Sequence, residues 1–238
     1  MTRFQAIIFD LDGVLLDSEQ VAIDVSCLAA EKAGYSIPRE FWLSTVGHAT
    51  EQIRLLFADM FGEPGAFDEL QTAIDALYVT RVTDLGPGIV KSGVRDLLTE
   101  LSARSVPCAV ATSSHRSWAE SCLRTSELWP NFKVVIGRED AGAPKPNPAV
   151  FRLAASRLGI APEACIVFED SETGIRAAAS AGMHSILVPD LQPPSFTARR
   201  QAHAVFASIP AAIPYVISLL GTADTITENY PQPCPSAA

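Results

Sequence analysis

The sequence predicts an α/β fold, with a Rossmann-like parallel sheet and a small inserted α-helical cap domain. Three observations predict it. Short apolar runs end in polar residues, helical patterns separate the later runs, and a long stretch after the first run has no strand-like pattern. Strands that alternate with helices are typical of a parallel sheet covered on both faces. The 238 residues have 48% hydrophobic content, which suffices for one sizeable core and a smaller second unit.

The predicted strands are short apolar runs that lead into polar or turn-forming residues. They cover 6–9, 108–111, 134–136, 165–168 and 185–188. Helical patterns lie between the later runs, at about 92–104, 115–126, 147–158 and 171–181. Ligands of a parallel sheet bind beyond the carboxyl ends of its strands. We therefore expect the polar residues that follow the strands to meet at one edge: Asp10, Asp12, Thr112, Ser113, Glu169 and Asp170.

The stretch from residue 18 to about 84 shows helical spacing instead of strand-like runs. Two sets of apolar residues have the spacing of amphipathic helices: Ile53, Leu56, Phe57 and Met60, then Leu70, Ile74, Leu77 and Tyr78. We predict a helical cap at 18–87, inserted into an α/β core at 1–17 and 88–220. The tail at 221–238 is rich in Thr and Pro and poor in large apolar residues, so we expect it to be poorly ordered.

The composition argues against several kinds of partner and site. A net charge of −9 without any Lys/Arg block argues against binding nucleic acid. No apolar stretch reaches the roughly 18 residues of a membrane span, and no signal peptide is recognisable. The five cysteines include no Cys-x-x-Cys pair, which argues against structural zinc and a disulfide framework. We expect a cytoplasmic protein without a nucleic-acid or membrane partner.

Asp10 and Asp12 follow the first predicted strand and are the first candidate functional residues. Side chains alternate along a strand, so both carboxylates lie on the same side of it. Two carboxylates this close repel each other unless a cation lies between them or one of them holds a proton. A divalent metal site, or a nucleophile beside an acid/base, would use this arrangement.

Four segments occur in an order that resembles the haloacid dehalogenase superfamily of phosphohydrolases. They are Asp10-Leu11-Asp12-Gly13-Val14, the strand ending at Thr112-Ser113, Lys145 between two prolines, and Phe168-Glu169-Asp170-Ser171. The resemblance covers residues 4–220. The chain looks most like the branch with a helical cap inserted after the first segment, which includes phosphoglycolate-type phosphatases and β-phosphoglucomutase.

The resemblance implies a Mg²⁺-dependent phosphatase that acts on a small phosphorylated metabolite. Asp10 would be the nucleophile that forms an aspartyl-phosphate, and Asp12 would be the acid/base. Mg²⁺ would be bound by the Asp10 carboxylate, the backbone carbonyl of Asp12 and the Asp170 carboxylate. Glu169 would contact the metal through a water molecule, or would contact only the residues that bind it.

The same resemblance implies that Thr112, Ser113 and Lys145 bind the phosphate. Thr112 and Ser113 precede a predicted helix, where hydroxyl and backbone N–H groups can hold a phosphate. Ser114 is the expected N-cap of that helix. Lys145 lies in a loop stiffened by prolines and would neutralise both the phosphate and Asp10.

His48, Thr50 and Arg54 are candidates for substrate contact, because this region of capped relatives touches the substrate. Two other functions stay open: a β-phosphoglucomutase-like mutase and a catalytically silent phosphate-binding regulatory protein. The mutase pattern has an arginine three residues after the cap glycine, where this chain has Thr50, and a histidine where Ala22 aligns. Arg54, one turn later, could take the place of that arginine.

Overall fold

A central parallel sheet organises the chain. The computed structural model describes residues 4–46, 50–62 and 66–221. Within these residues the strands are Ala6–Phe9 (β1), Cys108–Ala111 (β2), Phe132–Ile136 (β3), Cys165–Glu169 (β4), His184–Leu187 (β5) and Ala204–Val205 (β6). All neighbours pair in parallel, in the order β3-β2-β1-β4-β5-β6. The predicted α/β class is confirmed.

The order of the strands puts β1 at the centre of the sheet. Phe9, its last residue, pairs with Val110 of β2 on one side and with Phe168 of β4 on the other. The backbone N–H of Asp10 then donates to the carbonyl of Phe168 over 3.0 Å. The polar residues that follow β1, β2 and β4 therefore leave the sheet side by side, as the parallel arrangement predicts.

Alternate residues of the strands face opposite sides of the sheet. Ile7 and Phe9 belong to one buried apolar cluster, whereas Ala6 and Ile8 belong to the other. This two-residue alternation gives the sheet two apolar faces that must both be covered by helices. The helices of the core, numbered after the four cap helices that precede them in the chain, are Val94–Ala103 (α5), Arg116–Thr125 (α6), Arg138–Ala141 (α7), Ala149–Leu158 (α8), Glu172–Ala181 (α9), Phe196–Gln201 (α10) and Ile209–Leu220 (α11).

The stretch between β1 and β2 begins with helices, as the sequence predicts. They are Ser18–Lys32 (α1), Arg39–Ser44 (α2), Thr50–Phe61 (α3) and Ala66–Leu85 (α4). A short 3₁₀ turn at Gly86–Ile89 leads back to the core. These helices form the inserted cap. We propose 18–87 as its bounds, as predicted from the sequence.

The two segments that join the cap to the core lie beside each other. Leu16 and Val90 form an antiparallel bridge. The N–H of Asp17 donates to the carbonyl of Ile89 over 2.9 Å, and the N–H of Lys91 donates to that of Leu15 over 3.0 Å. The chain therefore leaves the core and re-enters it at one place, next to the end of β1.

The apolar face predicted for α3 is only partly correct. Phe57 is fully buried, but Leu56 and Met60 are 43% and 48% exposed. Phe57 packs its ring against those of Phe61 and Phe67, with centroids 4.7 and 5.5 Å apart. These aromatic contacts fix the side of the helix that faces the cap interior, and the neighbouring apolar positions turn outward.

Three further expectations concern the ends of elements and the chain as a whole. β3 begins at Phe132, two residues before its predicted start, and β6 was not predicted because two residues carry no periodicity. Among the described helices, none combines the length and the apolar character needed to cross a membrane. The predicted disordered tail, apart from Gly221, lies outside the described residues.

Candidate active site

Lys145 lies at the centre of a buried ionic cluster at the carboxyl ends of the strands. Its Nζ atom is 2.5 Å from Oδ1 of Asp10 and 2.5 Å from Oε1 of Glu169. It also donates to the carbonyl of Ala111, at the end of β2, over 3.2 Å. The lysine side chain is only 5% exposed, and groups at the carboxyl ends of β1, β2 and β4 hold its ammonium in position.

Glu169 uses both of its carboxylate oxygens within the protein. Oε1 bonds Lys145, and Oε2 accepts hydrogen bonds from the backbone N–H groups of Asp170 and Ser171, each over 3.1 Å. The Ser171 hydroxyl adds a third bond to Oε2, over 2.9 Å. Because both oxygens are already bonded, Glu169 is suited to holding Lys145 and the start of α9 in position.

Asp10 and Asp170 lie next to this pair and leave the cluster with excess negative charge. Carboxylate oxygens of Asp10, Glu169 and Asp170 lie within 4.8 Å of one another. If all three carboxyl groups were ionised, the single ammonium of Lys145 would leave two of their negative charges uncompensated. Among the described residues, none donates a hydrogen bond to the Asp170 carboxylate.

The pKa values of the Asp10 and Asp170 carboxyl groups are raised, mainly by burial. Burial raises the pKa of Asp10 to about 8; Lys145 opposes the rise, and Glu169 adds to it. Burial also raises the pKa of Asp170 well above its ordinary value, with a further contribution from Glu169. Burial alone would lower the pKa of Lys145, but Asp10 and Glu169 together raise it. Buried carboxyl oxygens that lack enough positive charge to ionise together are the hard ligands that a divalent cation such as Mg²⁺ prefers.

Asp12 is held apart from the cluster by two hydroxyl groups. Its Oδ1 accepts from Ser18 and its Oδ2 from Ser114, each over 2.7 Å. The prediction that Ser114 caps α6 is wrong, because His115 occupies the N-cap position and the Ser114 hydroxyl is bonded to Asp12. Since Ser18 begins the first cap helix, the Asp12 carboxylate joins the cap to the core.

The three residues predicted to bind phosphate border one cavity of about 170 Å³. Thr112 is buried, and its hydroxyl oxygen accepts from the N–H of Ser114 over 3.0 Å. Ser113 is exposed at the same strand end, and Lys145 closes the other side. Thr112 therefore shapes the loop, and Ser113 offers the accessible hydroxyl.

Two neighbouring cavities lie between Asp12 and the cap. The first, which we call the Asp12 cavity, measures about 240 Å³ and is also lined by Ser18, Glu19, Ala22, Tyr78, Ser114 and Trp118. The second, which we call the cap cavity, measures about 330 Å³ and shares three of these residues: Glu19, Ala22 and Tyr78. These three residues therefore form the boundary between the cavity beside Asp12 and the cavity in the cap.

The three cap residues predicted to contact the substrate lie in different surroundings. Thr50 lines the cap cavity. Arg54 lines neither of the two cavities; its guanidinium binds Asp68 over 2.7 Å and also pairs with Glu51. His48 lies outside the described residues.

Comparison with known proteins decides the family. Residues 4–182 match the family of haloacid dehalogenase-like hydrolases. The chain belongs to this family. A protein of Drosophila melanogaster named "Probable pseudouridine-5'-phosphatase" is 33% identical over 214 residues, which cover 85% of this chain and 88% of that protein.

Two further relatives agree with this haloacid dehalogenase-like assignment. The fructose-1-phosphate phosphatase of Escherichia coli is 29% identical over 202 residues, covering 77% of this chain and 96% of that protein. A hydrolase of the family from Deinococcus radiodurans, crystallised with phosphate and sodium, superposes with a TM-score of 0.76 at 28% identity. The superposition covers 92% of this chain and 99% of that one. The chain is a phosphoric monoester hydrolase of the haloacid dehalogenase-like family.

Sequence reasoning missed the residues that this hydrolase places around Asp12. Ser18, Glu19 and Ala22 of α1 all line the Asp12 cavity, and Ala22 is three and four residues from the other two, a spacing that makes them neighbours on a helix. Small and polar residues on a helix face, directly after the first motif, were the signal that could have revealed a cavity there. Tyr78 and Trp118 reach the same cavity from α4 and α6, and no local pattern marks them.

Gly174 is required where α9 passes over Glu169. A Cβ atom at this position would lie 1.8 Å from Oε1 of Glu169. We expect Gly174→Ala to displace the Glu169 carboxylate and lower the free energy of unfolding by about 1–3 kcal/mol, the usual cost of overpacking. Phosphatase activity should fall with it, because Lys145 loses a partner. Thermal unfolding and an activity assay measure both effects.

Gly88→Ala is the matched control for this substitution. No atom lies within 4 Å of a Cβ at Gly88, and its backbone is not in the left-handed region. This variant should match the wild type in stability and activity. A Gly174→Ala protein that also matched the wild type would mean that Glu169 has room to move without consequence.

Proposed function

We propose that the chain is a Mg²⁺-dependent phosphatase that hydrolyses a small phosphomonoester through an aspartyl-phosphate on Asp10. The single observation that carries this is the buried cluster in which Lys145 bridges Asp10 and Glu169 beside Asp170. The ammonium binds one oxygen of Asp10, which fixes the direction of the other. A carboxylate held in this way is prepared to attack a phosphorus atom in line with the leaving oxygen.

In the first step, an Asp10 carboxylate oxygen attacks phosphorus, and the bond from phosphorus to the ester oxygen breaks. The electron pair stays on the leaving oxygen, which takes a proton from Asp12. In the second step, water gives a proton to Asp12 and attacks the phosphorus, releasing inorganic phosphate and the free Asp10 carboxylate. Such proton transfer contributes about 10² to 10⁴ in rate.

The geometry around Asp12 suits this acid/base role. Two hydroxyl groups, from Ser18 and Ser114, fix both oxygens of its carboxylate. Its side chain also borders the Asp12 cavity, together with residues of the cap. The leaving oxygen would therefore depart on the side where Asp12 can protonate it.

The proposed metal ligands are the carboxylates of Asp10 and Asp170 and the backbone carbonyl of Asp12. Glu169 would reach the metal through a water molecule or would contact only its ligands. Bound Mg²⁺ would supply charge neutralisation for the phosphate and orient it towards Asp10. Lys145 would share the neutralisation, and Thr112 and Ser113 would complete the phosphate site.

A phosphatase is favoured over a mutase by the surroundings of Arg54. A mutase must hold a second phosphate with a cation, and Arg54 is instead paired with Glu51 and Asp68 on the cap surface. The named relatives support the same choice, since one is named for a phosphate ester of pseudouridine and the other for a phosphate ester of fructose. A silent phosphate-binding protein is disfavoured because Asp10, Asp12 and Asp170 are all present.

The test is the hydrolysis of p-nitrophenyl phosphate by purified protein. We expect turnover with Mg²⁺, complete loss in EDTA, and recovery when Mg²⁺ is added back in excess. Folded protein that hydrolyses no phosphomonoester under these conditions would overturn the proposal. Interconversion of glucose phosphates that depends on a bisphosphate activator would establish the mutase instead.

A further inference from the structure

A second group of carboxylates adjoins the ionic cluster, and one of its members belongs to the cap. Carboxylate oxygens of Glu19, Asp170 and Asp190 lie within 4.8 Å of one another. We call this group the Glu19 cluster; it shares Asp170 with the cluster around Lys145. Glu19 lies in the first turn of α1, whereas Asp190 lies in the loop that follows β5. A helix of the cap therefore brings a carboxylate to a proposed metal ligand of the core.

The core half of the Glu19 cluster is packed against the first motif. A Cβ atom at Gly13 would lie 2.3 Å from Oδ2 of Asp170 and 3.4 Å from Cβ of Asp190. The backbone of Gly13 has a φ of +76°, which residues with a Cβ atom rarely adopt. Because Gly13 has no side chain, Asp170 and Asp190 can lie side by side against the backbone that follows Asp12.

Asp190 is a buried acceptor of which only one oxygen is paired. Its Oδ1 is paired with Nζ of Lys91, and the Asp190 side chain is 7% exposed. Its Oδ2 is also buried and has no hydrogen-bond partner among residues 4–46, 50–62 and 66–221. The neighbouring Glu19 and Asp170 carry carboxyl groups, which accept but cannot donate when they are ionised. A buried oxygen of this kind needs a donor or a cation that ionised neighbours do not supply.

The charges and the spacing of the Glu19 cluster favour a cation. If its three carboxyl groups were ionised, the ammonium of Lys91 would leave two negative charges uncompensated. Like charges this close repel each other unless a cation lies near them. Oxygens bound to one divalent cation lie up to about 4–5 Å apart, which is compatible with the 4.8 Å limit found here. A divalent cation bound at Asp170 would therefore also relieve the repulsion on Glu19.

The first turn of α1 contacts both the acid/base candidate and a metal-ligand candidate. Ser18 donates its hydroxyl to Oδ1 of Asp12 over 2.7 Å, and the next residue, Glu19, reaches Asp170. The helical backbone holds consecutive residues in a fixed relation to each other. Any interaction that fixes Glu19 against the core therefore also fixes Ser18 against Asp12.

We infer that Glu19 is a positioning residue that completes the divalent-cation site at Asp170 from the cap, so that a bound cation holds the first turn of α1 against the core. The inference rests on the proposed phosphatase function and adds a cap residue to its metal site. Asp190 acts together with Glu19, since it contributes the other carboxylate beside Asp170. The coupling is reciprocal: a cation that favours the docked first turn is itself bound more tightly when that turn is docked.

Glu19→Gln tests the inference through the affinity for Mg²⁺ alone. The amide has nearly the shape of the carboxylate but no charge. Isothermal titration calorimetry of the full chain, freed of metal beforehand, should give a dissociation constant for Mg²⁺ about tenfold to 100-fold higher than that of the wild type, the usual effect of losing a residue that supports metal ligands. An affinity equal to that of the wild type would overturn the inference.

Glu31→Gln is the matched control for this measurement. It removes the same charge from the same helix, but at the exposed far end of α1. This variant should bind Mg²⁺ with the affinity of the wild type. If it weakened binding as much as Glu19→Gln does, the effect would come from the net charge of the cap, and the role assigned to Glu19 would be wrong.

Thermal unfolding separates this role from a purely structural one. Without Mg²⁺, Glu19→Gln should be at least as stable as the wild type, because a repelled charge is removed from the Glu19 cluster. At one Mg²⁺ concentration it should gain less stability than the wild type, since stabilisation by a ligand falls as its dissociation constant rises. A loss of stability without Mg²⁺, with an unchanged gain when Mg²⁺ is added, would mean that Glu19 only supports the fold.

Glu19→Lys provides a second test with its own outcome. An ammonium beside Asp170 and Asp190 would take the place of the cation, so this variant should unfold at a higher temperature than the wild type without Mg²⁺ and gain almost nothing from Mg²⁺. An undiminished gain from Mg²⁺ would contradict the inference. Wild-type protein that binds Mg²⁺ but hydrolyses no phosphomonoester would overturn the proposed function, whereas an active wild type whose Mg²⁺ affinity is independent of Glu19 would overturn only the inference.

Discussion

Asp10→Asn is expected to reduce phosphatase turnover by about 10⁴-fold or more, the scale seen when an enzyme loses its nucleophile. The amide of asparagine cannot form the phosphoenzyme, although it has nearly the shape of the carboxylate. Stability should not fall. The pKa of Asp10 is raised to about 8, which means that the fold disfavours the charged form and accepts an uncharged group there. Turnover of p-nitrophenyl phosphate and thermal unfolding measure the two effects.

Asp96→Asn is the matched control, because Asp96 is an exposed residue of α5 far from the cluster. It should keep full activity and full stability. Near wild-type turnover in Asp10→Asn would remove Asp10 from the role of nucleophile. Loss of turnover together with a large loss of stability would mean that Asp10 mainly serves the fold.

Lys145→Met is expected to damage both the fold and the activity. The substitution leaves Asp10 and Glu169 buried beside each other without a cation, and removing one partner of a buried ion pair costs about 3–5 kcal/mol. Turnover should fall by about 10²–10³-fold, the usual effect of losing a group that stabilises developing charge. Chemical denaturation and the p-nitrophenyl phosphate assay report these two changes separately.

A second variant separates the two effects. In Lys145→Met/Glu169→Gln one of the unpaired carboxylates is neutral, so part of the lost stability should return while the activity stays low. Lys133→Met, at an exposed lysine of β3, should change neither quantity. If Lys145→Met were as stable as the wild type, the ion pairs of the cluster would contribute nothing to folding.

The sheet was predictable because its strands are marked by local patterns. The runs that became β1 and β2 have their predicted bounds, since each is a continuous apolar segment bounded by polar or turn-forming residues. The ionic cluster was predictable for a topological reason: parallel strands put their carboxyl ends at one edge, which joins Asp10 to Glu169 across 159 residues of chain. The proline-flanked Lys145 came only from the family resemblance.

The cap was less predictable, because its contacts are chosen by tertiary packing. Helical spacing located α3 but not the face it buries, which the aromatic contacts of Phe57 decide. The hydroxyl partners of Asp12 come from the first residue of α1 and from the loop between β2 and α6, so no local pattern pairs them.

The bridge between Leu16 and Val90 has a consequence for how such enzymes diversify. Bridged residues of antiparallel segments lie about 5 Å apart, a gap that a tight turn of about two residues can close. The helical cap thus stands where a hairpin turn would otherwise be. A recombination event at this hairpin can exchange one insert for another without rethreading the sheet or moving Asp10, Lys145 or Asp170. The edge that carries the ionic cluster and the inserted helices are therefore joined at one place only.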